Sequence, residues 1–444
     1  MLARLLQMRM RAPEARRVVD GALQRATGLD RLRLLMERAL IEVLEGRSSD
    51  ACDAATRELA DDVDRLPGAP MHLRAEVLSI VGVNEVAMGR IDTALPMAER
   101  AVALADRSGE VRSSVETRLR LAYAYLVTDN RPATLSTLEE ARRRASQHAL
   151  PLLEARCRTY AIDTIRPVGR LSAARDEVEA CLRLCPEDAN LSIHVQLKHK
   201  AAAIARCEGR LGDAHAVIAD LLRLQHPHVY EGVALDTALS AALNHKYAGR
   251  VDLAIAAMAP GIEDGRIERQ APYFRDWHLL CYCELLWLAG RDREADELFR
   301  RFDNDGTSAK VLLLSSLRAL RQGRRSECID GMTHALRIVG TGNESARIRL
   351  SLAWLLVEDG HIRRADALLD ELEALGSELP ELALVRYAAA VRRGEVTLDE
   401  REWRRRVRAV TMVAHTYPWL ADASAAHRLV AGHPRRLPEF IAAD

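Results

Sequence analysis

Apolar residues along this chain recur at three- and four-residue spacings rather than at every second position. That period lays them on one stripe of an α-helix, whereas a half-buried strand needs alternation. No Val/Ile/Thr alternation is long enough to propose a sheet. The apolar-periodic stretches, rich in Ala and Leu, end at Gly46, Gly89, Gly169, Gly209, Gly249, Gly290, Gly323, Gly360 and Gly394, with Asn130 at the one beat lacking a glycine. Glycine enters the left-handed region without a Cβ clash and commonly stands just past a helix end, where asparagine is its usual substitute. A second stretch follows each turn, so the pattern predicts helix–turn–helix units returning every 33–43 residues. A fixed period of this length marks a solenoid.

Two columns of small residues accompany the beat. Five residues past it stand Ala51, Ala94, Ala174, Ala214, Ala254, Ala295, Cys328 and Ala365. Seven residues before it stand Ala39, Gly82, Ala202, Ala242, Cys283, Ser316 and Ala353. Small side chains at both offsets let two antiparallel helices approach closely where they cross. Tyr123, Ile162 and Tyr387 break the upstream column, and Leu135 and Asp399 the downstream one. Arginines such as Arg90, Arg170, Arg210 and Arg250 follow the turns and read as solvated turn residues. Pro132, Pro151, Pro272 and Pro380 stand where helices would begin, and Pro167 is placed to cut a helix short before Gly169.

On these residues, and on Pro186 twelve past Ala174, the chain resembles the tetratricopeptide repeat family from residue 27 to about 393. Its long early period is similar to the longer-helix variant in bacterial maltose-regulator-type activators, although the ATPase and DNA-binding domains of those proteins are not visible. The resemblance implies an all-α, right-handed superhelical solenoid of antiparallel helix pairs. The expected organisation is N-terminal helices and a first, capping repeat over 1–67, repeats over 68–393, and C-terminal capping helices over 394–444.

Charge and chemistry narrow the function classes. Lys+Arg and Asp+Glu are equal at 64 each, so no global field favours nucleic acid or an anionic membrane. No stretch reaches the roughly eighteen apolar residues of a membrane span, and the basic N-terminus lacks the apolar core of a signal peptide. Eight irregularly spaced cysteines fit reduced thiols, hence a cytoplasmic expectation. No phosphate loop, zinc-protease helix, nucleophile elbow or kinase signature occurs, so no enzyme activity, cofactor or metal is expected. Cys181 with Cys185, and His278 with Cys281 and Cys283, are explained by packing; Cys283 itself lies in a small-residue column. Histidines bunch between His194 and His245, His226 and His228 included, without the i,i+4 pair of a helical metal site. Residues 397–410 read as a capping helix, and 260–272 as a charged loop or frayed helix end.

In the family the first helix of each pair lines the concave side, which implies a stripe at thirteen, ten, six and three residues before each beat. Reading that stripe yields Arg120, Arg156, Arg166, His199, Arg206, Lys246, Trp277, Glu284 and Trp287 as candidate binding residues. Half of all Phe, Trp and Tyr lie between Tyr230 and Phe302. A cationic floor beside an aromatic wall suits a protein segment or peptide with an acidic end and an apolar anchor. Plain helix packing accommodates the same residues, with Trp277 and Trp287 filling core. The expected function is a regulatory protein- or peptide-binding scaffold working through its concave groove. The alternatives are a small-ligand-responsive sensor and, further off, an enzyme on a helical-repeat fold.

Overall fold

A computed structural model describes residues 2–44, 49–128, 130–186, 190–223, 231–302, 309–339 and 345–410. Among them the chain forms 22 α-helices and no strand. The helices pair in chain order: α1 (Leu2–Met8) with α2 (Ala12–Leu23), α3 (Gly28–Leu44) with α4 (Ser49–Asp64), and α5 (Met71–Ala87) with α6 (Ile91–Ser108). Next come α7 (Val111–Val127) with α8 (Arg131–Gln147), α9 (Pro151–Ile165) with α10 (Leu171–Leu184), and α11 (Leu191–Cys207) with α12 (Leu211–Arg223). Then follow α13 (Glu231–Tyr247) with α14 (Val251–Glu263), and α15 (Pro272–Leu288) with α16 (Asp292–Phe299). The last hairpins are α17 (Ala309–Arg321) with α18 (Arg325–Val339), α19 (Ser345–Glu358) with α20 (Ile362–Ala374), and α21 (Pro380–Arg393) with α22 (Glu400–Val410).

Each described turn glycine adopts positive φ, +75° at Gly89 and +77° at Gly209, for example. The next residue serves both helices. Arg90 N–H donates back to the Glu85 carbonyl at 2.8 Å, and the Arg90 carbonyl accepts from Ala94 N–H at 3.1 Å. Arg210, Arg250, Arg291 and Arg324 repeat this arrangement. Helix end and helix start are thereby joined without a free linker. Gly46 lies outside the described residues.

Asn130 corrects the expected register. Its φ is −83°, not left-handed, and its side chain accepts from Ala133 N–H to cap α8. Its own N–H donates to the Tyr125 carbonyl at 2.9 Å, so it occupies the arginine's place, one residue past the turn. Asparagine is among the best helix N-caps, and that preference outweighs its tolerance of left-handed backbone here. With the beat moved back by one, Ala122 and Thr134 fall into the two small-residue columns, and both are fully buried. Tyr123 and Leu135 were misaligned neighbours.

The other columns sit as expected: Ala94, Ala174, Ala214, Ala254, Ala295 and Ala365 are fully buried at the crossings. Cys283 crosses there too, its thiol donating to the Ala295 carbonyl at 3.2 Å. Pro151, Pro272 and Pro380 open α9, α15 and α21, and Pro167 sits in a 3-10 turn, Arg166–Val168, that ends α9. Pro260 is inside α14, so of the two expectations for 260–272 its start is a helix end, and buried Ile267 pins the remainder. At the far end α22 brings Trp403 against Trp354 and Tyr387, with ring centroids 6.1 and 6.3 Å apart. These rings belong to one buried core shared by α19, α21 and α22. The expected cap beyond residue 410 lies outside the described residues, as do His226, His228 and Tyr230.

The superhelix closes on itself. α1 touches α11, α5 touches α15, and the 3-10 turn after α9 touches α19, each contact spanning five hairpins. At the N-terminal end Ala3, Met10 and Ala12 share one apolar cluster with Val195, Ala202 and Ile218. Toward the other end Glu378 N–H donates to the Gly169 carbonyl at 2.8 Å, and Ser172 N–H donates to the Glu378 carboxylate at 2.8 Å. Gly169 has φ +85°, and a Cβ there would stand 2.4 Å from Ser377 Oγ and 2.6 Å from Leu379 Cγ. The concave faces of the first helices are consequently a lumen between stacked turns rather than an open groove.

Candidate ligand-binding site

A cavity of about 430 Å³ opens where α7, α9 and α11 face α1 and α3. Its apolar wall includes Met8, Leu40, Leu152, Tyr160 and Ile193. Its polar side is built on Glu116, which accepts from Arg112 at 3.1 Å and from Arg120 at 3.2 Å. Arg120 is only 7% exposed and also donates to Ser79 Oγ on α5 at 2.8 Å. Arg156 lines the same cavity, half-buried, and makes no ion pair or hydrogen bond among the described residues. An unpaired guanidinium beside apolar surface is a ready partner for an anion. A volume near 430 Å³ lies within the range of small-ligand pockets, roughly 300–1,000 Å³.

A second cluster lies deeper, across α13, α15, α17 and α19. Glu284 accepts from Lys246 at 2.8 Å and Lys310 at 3.5 Å, and pairs with Arg347. Lys246 is 2% and Glu284 6% exposed. Burial opposes ionisation of Glu284, yet Arg347, Lys246 and Lys310 together hold its carboxyl well below the usual range. Burial likewise pulls Lys246 down to about 8, against the attraction of Glu284. One carboxylate thus ties four consecutive first helices together, and removing one member of such a buried group is costly.

The remaining candidates divide between the lumen and the core. Arg206 donates to Asn244 at 2.9 Å, and burial lowers it to about 10. Arg166 is half-buried beside the Cys207 thiol, its Nε without a partner. His199 sits between Ser240 Oγ at 3.1 Å and Thr237 Oγ1 at 3.2 Å. Burial, helped by Lys200 and Arg206, drops it to about 4, so it is neutral at physiological pH. Trp277 is half-buried beneath the Lys310 ammonium, 5.2 Å from its ring centroid. Trp287 points into the hairpin core instead, packed on Phe299 at 5.1 Å with its indole N–H donating to Asp296 at 3.2 Å. Of the nine candidates, the structure brings Arg120 and Arg156 to one cavity and Lys246 and Glu284 to one ionic cluster.

Sequence reasoning passed over Arg112, Glu116, Lys310, Arg347 and Glu381. Three of these were within reach of its own rule, because Lys310, Arg347 and Glu381 stand thirteen residues before Gly323, Gly360 and Gly394. Glu116 has the same offset once the Asn130 register is corrected. The N-terminal wall carries no such signal, since it arises from one superhelical turn resting on another. Glu381, at the start of α21, is 5% exposed with one carboxylate oxygen unpartnered, and burial pushes it up to about 7. All eight cysteines are free thiols; burial raises Cys181 to about 11 and Cys157 to about 12. Among the described residues no group of three His, Cys, Asp or Glu side chains is placed to hold a metal, and no helix is long and apolar enough to cross a membrane.

Two solved structures are similar to this chain to different degrees. A Rap protein complexed with competence and sporulation factor superposes with a TM-score of 0.57 at 13% identity, covering 78% of this chain and 97% of that one. The Cut9–Hcn1 hetero-tetramer of APC/C aligns over 97% of this chain and 94% of that one, at 13% identity and a TM-score of 0.35. No family model and no curated protein matches the sequence. The fold defined by the hairpins and by the first of these likenesses is a superhelical solenoid of the tetratricopeptide type.

Proposed function

We propose that this protein is a regulatory, cytoplasmic binding scaffold that recognises a protein segment of acidic and apolar character on its concave side. The observation that carries this reading is the cavity at α7, α9 and α11. There the unpaired Arg156 and the Glu116-held Arg120 stand beside Leu40, Leu152 and Tyr160. Arg166, with a nitrogen still unpartnered, and Trp277 extend the lumenal surface available to a longer segment. The likeness of the early period to maltose-regulator-type activators supports a regulatory role, and the Rap neighbour, crystallised with competence and sporulation factor, supports ligand binding within such a fold. Comparing the proteins retained by immobilised wild type and by Arg156→Glu, matched in helicity, tests the reading. Proteins lost only with the variant sustain it, and identical retention removes it.

A second reading, a small-ligand-responsive regulator, is favoured by the cavity's size and by walls drawn from two superhelical turns. Occupancy of such a cavity would tighten the stacking of the turns. A rise in melting temperature with low-mass anionic metabolites, absent with Arg156→Glu, would put this reading first.

A further inference from the structure

The charge inventory of the cavity restricts its occupant. Arg112, Arg120 and Arg156 contribute three positive charges, and Glu37 and Glu116 contribute two negative ones. Glu116 is engaged by both Arg112 and Arg120, whereas Arg156 makes no ion pair or hydrogen bond among the described residues and is the cation left open to a ligand. Met8, Leu40, Leu152 and Ile193 supply apolar surface within the same enclosure. Arg156 can compensate one anionic group, and a neutral apolar molecule would leave it without a partner.

We infer that the cavity binds an amphiphile with one anionic group, a carboxylate held by Arg156 and an apolar body seated against Leu40, Leu152 and Ile193. The inference rests on the cavity being the binding site and adds the chemistry of its occupant. A free small acid and the terminal carboxylate of a peptide both present this chemistry. A volume of 430 Å³ limits the seated part to the size of a small ligand.

The test is calorimetric titration of the full-length protein with decanoate, decanol and decylamine, each below its aggregation concentration. A short peptide ending in two leucines is titrated alongside, as free acid and as amide. Decanoate is expected to bind at least tenfold more tightly than decanol, with decylamine silent, because only the carboxylate forms a charge-assisted pair with Arg156. Arg156→Gln should erase the preference for the acid. Gln196→Trp, an exposed residue at the cavity lining, should block all binding by occupying the space while circular dichroism stays unchanged. Binding of the peptide acid but not its amide identifies a chain terminus as the source. Decanoate binding with both peptides silent identifies a free acid, leaving this inference standing while the protein-segment reading fails. Equal binding of decanoate and decanol, or a preference for the acid that survives Arg156→Gln, overturns the inference, as does peptide binding without decanoate binding and without preference for the free acid. In that last outcome the protein-segment reading survives.

Discussion

Replacing Glu381 with glutamine should stabilise the protein, and only above a definable pH. Glu381 opens α21, is almost wholly buried near the Cys207 thiol, and has no ionic partner among the described residues. Burial raises its carboxyl from 4.5 to about 7, and its own backbone N–H offsets this only in part. Between those two values the folded chain retains a proton that the unfolded chain has released. Stability therefore falls as pH rises through that window and levels off above it. Raising a carboxyl from 4.5 to about 7 corresponds to about 3 kcal/mol lost by pH 8. Glutamine keeps the shape and cannot ionise. Urea unfolding of wild type and Glu381→Gln at pH 4 and pH 8 reads the effect directly. The variant should gain about 3 kcal/mol more at pH 8 than at pH 4. A difference between the proteins that is the same at both pH values would refute the buried, unpaired carboxyl.

Other perturbations separate structural from binding roles. Gly169→Ala should cost about 1–3 kcal/mol more than Gly89→Ala in urea unfolding, since both turns have positive φ but only the first meets Ser377 and Leu379; small-angle scattering should show the Gly169 variant expanded. Glu284→Gln should lose about 3–5 kcal/mol at pH 7 by leaving Lys246, Lys310 and Arg347 confronting one another, with a smaller loss at pH 10, where Lys246, near 8, is neutral. Trp287→Ala should cost about 3–5 kcal/mol in chemical unfolding without altering ligand affinity at low temperature. Arg156→Ala should stay within about 0.5 kcal/mol of wild-type stability while losing affinity.

The hairpin architecture was legible because it is a local code. A glycine at left-handed backbone, a small residue on either side of it and a proline at a helix start are each dictated within about twenty residues of chain. The one misreading, at Asn130, came from two local preferences of the same residue, turn and N-cap, that differ by a single position. The lumenal stripe was legible in part: its offsets lead to Arg156, Lys246 and Glu284 and, two hairpins further, to Lys310 and Arg347, whereas Arg120 was reached only through the misplaced Asn130 beat. Periodicity does not tell a lumenal Trp277 from a core Trp287, because a helix passing a crossing needs bulk on both sides. The stacking of turns was not legible at all. Contacts such as Glu378 to Gly169, or α1 to α11, depend on superhelical pitch, which accumulates from small rotations at every hairpin. That pitch converts an expected open groove into a lumen with a bounded cavity.

The proposed function places ligands on the concave side at α7–α11 and not on the outer helices. A photo-crosslinking amino acid placed at Gln196, on the cavity lining, and separately at Leu253, exposed on α14, tests it most directly. Adducts are expected from position 196, should vanish in an Arg156→Glu background, and should not arise specifically from position 253. Adducts from position 253, or adducts from 196 indifferent to Arg156, would contradict it.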